Sequence, residues 1–585
     1  MSEEAAWRRR FRATSMSLPG WARDAPDRLL YVSNESGRYE LHAWQRATGT
    51  RRQVTHRPEG TRAGALDPSG ELIWWFDDDR GSEFGTWMAE PFQGGATPRE
   101  AAPGVEQAYG AGLALGRGFA VVGTSTDAGS RIWISTPESM AEVLYSHRED
   151  AEVADLSRDE RLLAISHAEH GDSRHPALRV LDRSGHVVAD LWDGAGFGLV
   201  ARAWSPVPGD LRLIIIHERA GTDRPAVWAP EAGELLELRL DLPGDVDADW
   251  FPDASALLLN HEHAGRSDLY RYDLNTHRCA RLDAPAGSIT TAWARPDGRV
   301  WYRHSSGGTP PRLLEEGVQL IQPPGPPAPP GTAYSDVSVG PVGGFLVEPP
   351  GSRPHPTLFL VHGGPAAHDQ DAWSPQVQAW VDHGFAVVLV NYRGSSGYGR
   401  EWRDALEGNP GLPEIEDLKA VRDHIVTAGV ADPRRTVLSG GSWGGYLALM
   451  GLGRQAETWS LGVASVPVAD YVATFEDSME PLRAFDRALF GGTPAERPEL
   501  YRERSPITYA DRLRVPVLIM AGRNDPRCPI RQIENYLARL RELGKPHEYY
   551  EFDAGHSSAV VDEQIRQIEK RIDFVHRHLG TPAPL

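Results

Sequence analysis

An all-β half built from a repeated unit, followed by an α/β half with a doubly wound, mostly parallel sheet, is the fold class this sequence predicts. Three observations predict it. Apolar strand-like runs recur at intervals of roughly 40 to 50 residues through the first half, the period of sheet-forming repeats. Apolar runs alternate with amphipathic helical stretches through the second half. Between them lies Pro323-Pro324-Gly325-Pro326-Pro327-Ala328-Pro329-Pro330, a tract that can be neither helix nor central strand and so marks a boundary.

The chain opens with Arg8-Arg9-Arg10-Phe11-Arg12, which lacks the apolar core of a secretory signal. Strand-like runs then follow at 29–33, 72–76, 119–123, 162–166, 211–216, 256–260 and 300–303. Several units carry a second run, as at 39–44, 131–135 and 269–274. Turn signals such as Asp67-Pro68-Ser69-Gly70 and Pro296-Asp297-Gly298 precede many of them. Seven units at this spacing predict a seven-bladed β-propeller over residues 22–322. Residues 1–21 form an N-terminal extension, 323–333 a Pro-rich linker and 334–585 the second domain. A pair of β-sandwiches is the rival reading, and it fits the even spacing less well.

At 585 residues the chain exceeds one hydrophobic core. Its net charge of −20 disfavours nucleic acid and anionic membrane as partners and weakly favours cationic or amine-bearing substrates. Cys279 and Cys528 have neither metal-ligand spacing nor a disulfide framework, and Cys528 reads as a packing residue. No run approaches the length of a membrane span. The expectation is a cytoplasmic protein with no cofactor and no metal.

In the second half, strands are expected at 358–361, 386–390, 437–439 and 517–520. Ile565, Ile568, Ile572, Val575 and Leu579 mark one apolar face of a closing helix. Gly440-Gly441-Ser442-Trp443-Gly444 falls where a strand hands over to a helix, the context in which a Gly-x-Ser-x-Gly turn exposes a nucleophilic hydroxyl. With 60 glycines in the chain the five letters carry little alone, and a glycine-rich loop is the plain alternative. Two downstream residues complete the order Ser, Asp, His. Asp525 follows the apolar run 515–521, with a helix N-cap near Ile530 as its alternative role. His556 follows the extended run 548–552, with an exposed loop histidine as its alternative. All three loops open on one edge of a parallel sheet, so the side chains can converge. His362-Gly363-Gly364-Pro365, after the strand at 357–361, offers an oxyanion turn whose donors are the N–H groups of Gly364 and Trp443. Together these features predict an α/β-hydrolase.

A propeller followed by an α/β-hydrolase resembles the prolyl oligopeptidase family of serine peptidases, especially its acylaminoacyl-peptidase and dipeptidyl aminopeptidase-like branch. The resemblance rests on His362-Gly363-Gly364-Pro365, on Asn391-Tyr392-Arg393-Gly394-Ser395-Ser396-Gly397-Tyr398-Gly399, and on Gly440 to Tyr446. Asn524-Asp525-Pro526-Arg527-Cys528-Pro529 and Gly555-His556 complete the set, which spans nearly the whole C-terminal domain. The resemblance implies that Ser442 attacks a carbonyl, His556 transfers the proton, Asp525 fixes the histidine tautomer and Arg527 holds a backbone carbonyl of the substrate. For Arg527, a surface ion pair is the alternative. It further implies a propeller that admits only short or unfolded peptides, an N-terminal segment packed on the hydrolase domain, and self-association.

An exopeptidase that takes a free amino terminus needs a buried carboxylate to receive the ammonium. Glu476 and Asp477 are the candidates, with a solvated acidic helix start as the alternative. Without such an anchor the pocket suits N-acylated peptides. The readings left open are a peptidase or amidase acting at an N-terminal residue, which includes aminoacyl conjugates such as an aminoacyl-nucleoside antibiotic, an esterase of the same fold, and an inactive scaffold.

Overall fold

The computed structural model describes residues 4–137 and 139–580. The C-terminal half is an eight-stranded sheet of β1 (Ser335–Val339), β2 (Val342–Val347), β3 (His355–Val361), β4 (Ala386–Asn391), β5 (Ala431–Gly441), β6 (Leu461–Ser465), β7 (Val517–Gly522) and β8 (His547–Phe552). The spatial order is β1-β2-β4-β3-β5-β6-β7-β8. The first two strands pair antiparallel, and β4 through β8 run parallel.

Among the described residues the sheet is covered by α1 (Ala6–Arg12), α2 (Pro375–Asp382), α3 (Pro413–Thr427), α4 (Trp443–Arg454), α5 (Ile530–Glu542) and α6 (Val561–Leu579). Burial on both faces explains why β4 reads Ala-Val-Val-Leu-Val-Asn, with every residue inside. Alternate side chains serve opposite layers. Phe359, Val388 and Leu438 pack with α3, α4 and α5. Leu358, Val387 and Val437 pack with α1, α2 and α6. The last helix buries Ile565, Ile568, Ile572 and Val575, as its periodicity predicts, and stops at Gly580 in the left-handed conformation. The short α1 lays Trp7 and Phe11 onto the same layer, and Arg8 pairs with Glu569 of α6.

Among the described residues the N-terminal half holds five four-stranded antiparallel sheets and one eight-stranded sheet. Each of the seven predicted apolar runs lies on or overlaps a strand, and the four-stranded sheets are up-and-down meanders. The eight-stranded sheet is a departure from separate units. Phe84 pairs with Tyr109 and Gly85 with Ala108, which joins the strand Phe84–Pro91 to Ala108–Gly116 and fuses two neighbouring meanders. Elsewhere adjacent sheets are tied by buried carboxylates. Asp155 accepts the N–H of Trp204 and Asp249 that of Ala294, each in the next sheet. Burial outweighs these bonds and pushes both carboxyls up to about 6.

The Pro-rich tract is neither helix nor strand. Its carbonyls are held from the N-terminal segment, Pro324 by Thr14 and Pro330 by Arg10. Among the described residues, no helix is long and apolar enough to cross a membrane.

Candidate active site

Ser442 stands between the end of β5 and the start of α4 with φ 55° and ψ −121°. That conformation is unfavourable for a residue with a Cβ and is imposed by its surroundings. The Ser442 N–H donates to the Ser465 carbonyl of the neighbouring strand at 2.9 Å. The flanking glycines are needed for close approach. A Cβ on Gly444 would lie 2.1 Å from the Val361 carbonyl oxygen, and one on Gly440 would lie 2.3 Å from the Gly444 backbone. Strand, turn and helix are thus pressed together so that the serine projects from the sheet edge.

Asp525 and His556 come from the loops after β7 and β8. The two loops are stitched by backbone bonds from Arg523 to Phe552 and from Asn524 to Ala554, both 3.0 Å. The Asp525 carboxylate, 1% exposed, accepts the His556 Nδ1–H at 2.7 Å with one oxygen and the N–H groups of Arg527 and Cys528 with the other. Because Nδ1 carries the proton, Nε2 is left as the acceptor. The N-cap of α5 is Pro529, so Asp525 does not cap that helix. Cys528 links the pair to the serine. Its thiol contacts the Ser442 side chain, and its sulfur lies within 4.8 Å of both the Asp525 carboxylate and a His556 nitrogen. Burial pushes this thiol far up, so it stays protonated and serves packing. Asp525 and His556 are thus paired, and Ser442 is grouped with them around the Cys528 side chain at the sheet edge.

The turn His362 to Pro365 lies against the serine. A Cβ on Gly363 would be 3.4 Å from the Ser442 Cβ. Neither the Gly364 N–H nor the Trp443 N–H has an acceptor among the described residues. His362 sets this turn, a role with no local signal in the sequence because its partners lie on the segment after β4. Its Nδ1 donates to the Gly363 carbonyl at 2.8 Å, and its Nε2 accepts from the Ser395 hydroxyl at 2.8 Å. The ring stacks on Tyr392 at 4.2 Å. Burial lowers the imidazole to about 4, so it is neutral at pH 7. With the Gly363 carbonyl held on the histidine side, the planar trans peptide turns the Gly364 N–H the other way.

The propeller closes over this edge. Its loop 79–84 packs Gly81 against the backbone of Gly555, and Arg80 accepts from Asn524. The predicted carbonyl holder, Arg527, is engaged here. Its Nε and Nη2 form a forked pair with Glu83, at 2.8 and 2.9 Å, while Nη1 has no partner among the described residues. The ion pair expected as the alternative for Arg527 is thus present, and it bridges the domains.

Glu476 and Asp477 are not placed as a buried amine anchor requires. They end the short helix Tyr471–Asp477 at the surface, 57% and 34% exposed, and both pair with Arg531 of α5. A carboxylate that does meet the requirement is Asp486, on the helix Glu480–Phe490. It is 5% exposed, and burial raises it to about 8. At pH 7 it is therefore mainly protonated, and when ionised it is near enough to Tyr446, Tyr471, Tyr501 and Cys528 to hold their protons on.

The sequence profile of the prolyl oligopeptidase family matches residues 372–582. The acylamino-acid-releasing enzyme of Rattus norvegicus is 27% identical over 367 residues, 57% of this chain and 50% of that protein, so the chain spans about half the length of this relative. The fold is similar over nearly the full chain to two solved structures. A puromycin-hydrolyzing peptidase of Mycobacterium tuberculosis superposes with a TM-score of 0.82 at 20% identity, covering 99% of this chain and 97% of that one. The Pyrococcus horikoshii acylaminoacyl peptidase gives 0.73 at 17% identity, covering 100% and 99%.

Proposed function

We infer that this chain, whose catalytic half belongs to the prolyl oligopeptidase family, is a serine peptidase that removes the N-terminal residue from short peptides or aminoacyl amides through an acyl-enzyme. The observation that carries the chemistry is the grouping of Ser442, strained on its turn, and the Asp525–His556 pair around Cys528. His556 Nε2 takes the Ser442 proton as the oxygen adds to the scissile carbonyl, and Asp525 holds the ring and offsets its positive charge. The oxyanion is received by the two unpaired donors, Gly364 N–H and Trp443 N–H. His556 then protonates the leaving amine, the C–N bond breaks, and water releases the acyl group by the same steps reversed.

Restriction to chain ends is supported by the docked loop 79–84, which walls the cleft beside the histidine. Recognition of a free amine is supported by Asp486, a buried carboxyl without an ion-pair partner among the described residues. The shared fold with acylaminoacyl peptidase keeps release of N-acylated residues as the second reading. An aminoacyl small molecule such as puromycin is a third substrate class of the same chemistry. The blade count belongs to this reading too. Counting the fused sheet as two four-stranded blades gives seven over residues 22–322, ahead of a linker at 323–333 and a catalytic domain at 334–585. The net charge of −20 supports a protein that binds neither nucleic acid nor membrane, in keeping with a cytoplasmic location.

Matched p-nitroanilides, free and N-acetylated, assayed with wild type and Ser442→Ala, test the reading. Turnover of the free set, lost in Ser442→Ala, is the expected result. Preference for the acetylated set transfers the assignment to acylaminoacyl release, and activity that survives Ser442→Ala overturns the mechanism.

A further inference from the structure

Behind the catalytic histidine, on the α6 side of the sheet, lies a cavity of about 370 Å³, within the range of small-molecule sites. The end of β5 (Ser439 to Gly441) bounds it on one side and His556 to Ser558 on another. Its floor is α6, where Gln564, Gln567, Ile568 and Arg571 share one helical face. It adjoins a second cavity of about 400 Å³ that reaches the oxyanion turn at His362 and Gly363, and the two share Ser374, Gln376 and Gly441.

Arg571 is unusual in this chain. Most arginines here face a carboxylate, yet among the described residues no Asp or Glu lines this cavity. The one hydrogen bond Arg571 makes among the described residues runs from Nε to the thioether sulfur of Met520 at 3.4 Å, a weak acceptor. Arg571 is half-buried, and this partial burial with no carboxylate partner among the described residues lowers its guanidinium to about 10, which still leaves it fully charged at pH 7. A cation kept in this state is costly unless something pairs with it. A guanidinium fork is the natural partner of a carboxylate. The position is also telling, because His556 delivers its proton to the departing amine, so the fragment that leaves lies on the histidine's side of the nucleophile.

We propose that this cavity is the leaving-group subsite and that Arg571 receives the C-terminal carboxylate of the departing fragment, so that di- and tripeptides with a free C-terminus are the preferred substrates. The proposal rests on the serine-peptidase reading above and adds to it the end of the substrate that is read. It limits the enzyme to peptides short enough for the carboxylate to reach α6.

The test compares alanyl-glycyl-glycine with its C-terminal amide in wild type, Arg571→Met and Arg571→Lys, taking the ratio of kcat/KM for acid over amide within each variant. This ratio is insensitive to any fraction of misfolded protein. It should be about tenfold or more in wild type, the effect of one charge-assisted bond, fall close to one in Arg571→Met and recover in part in Arg571→Lys. A ratio near one in wild type, or an unchanged ratio in Arg571→Met, overturns the proposal. Calorimetry of glycylglycine on Ser442→Ala decides independently of turnover. Binding that weakens about tenfold when Arg571→Met is added supports the subsite even if no peptide is cleaved, an outcome that would count against the peptidase reading alone. Equal binding in both backgrounds sinks the subsite.

Discussion

Ser442 and His362 show how one residue's geometry is imposed by others. A φ of 55° costs about 1–3 kcal/mol at a residue with a side chain, and the elbow bears it because three glycines let strand, helix and oxyanion turn approach to contact. His362 then fixes the turn by holding one carbonyl. Substituting His362→Ala removes that bond and leaves the Gly363 carbonyl free to rotate. The expected outcome is a fall in kcat of about tenfold to a hundredfold with KM little changed, since a full oxyanion donor is worth roughly 3–4 kcal/mol and here it is misaligned rather than deleted. His362→Asn, which can still donate to the carbonyl, should recover part of the loss. Asp486 gives a second prediction at this scale. With Asp486→Asn, kcat/KM on free aminoacyl p-nitroanilides should drop at least about tenfold while the acetylated set is unaffected. An equal loss on both sets would mean that Asp486 only supports the pocket wall.

At the scale of elements, the loops that carry the site are legible from local sequence. The strand ends carrying Ser442 and Asp525 are short apolar runs and that before His556 is an extended run, each followed by a glycine-bearing loop, and the parallel order β5-β6-β7-β8 brings these loops to one edge. What escaped depends on partners distant in sequence. Glu476 and Asp477 look like free carboxylates until Arg531, more than 50 positions later, arrives from α5. The role of Arg527 depends on Glu83, from the other domain. The fused sheet depends on a pairing between Phe84 and Tyr109 that no single run announces. Helix α1 makes the same point for stability. Only seven residues long, it is too short to persist alone and is held by Trp7 and Phe11 against α2 and α6. Trp7→Ala should destabilise the catalytic domain by about 3–5 kcal/mol, read by denaturant unfolding, because it empties a buried site in a layer that cannot collapse around it.

At the scale of the whole molecule, the propeller and the hydrolase are joined by charge as well as by the loop at the active site. His175, 1% exposed on the propeller strand His175–Asp182, faces Asp172 through Nδ1 at 3.2 Å. Through Nε2 it faces Asp404 at 3.4 Å and Glu407 at 3.6 Å across the interface. Arg403 and Arg174 complete the cluster, pairing with Glu218 and with Asp404 and Glu407. Burial opposes the imidazolium, but the bonds to Asp172 and Asp404 more than reverse this, and the histidine is raised to about 9. An unfolded histidine titrates near 6.5. The folded protein therefore binds the extra proton between about 6.5 and 9, so the stabilisation is complete below pH 6.5 and is lost as pH rises through about 9, on the order of 1–3 kcal/mol. Thermal melts from pH 6 to 10 should show the wild type losing stability on the alkaline side, while His175→Gln starts lower and declines less over the same range. Since Asp404 ends the helix Arg400–Asp404, which follows the motif Asn391 to Gly399, this loss would loosen the propeller from the wall of the cleft. Limited proteolysis should then cut the wild type faster at pH 9.5 than at pH 7, with His175→Gln equally sensitive at both. A pH-independent digestion pattern in the wild type would show that the ion cluster does not hold the domains together.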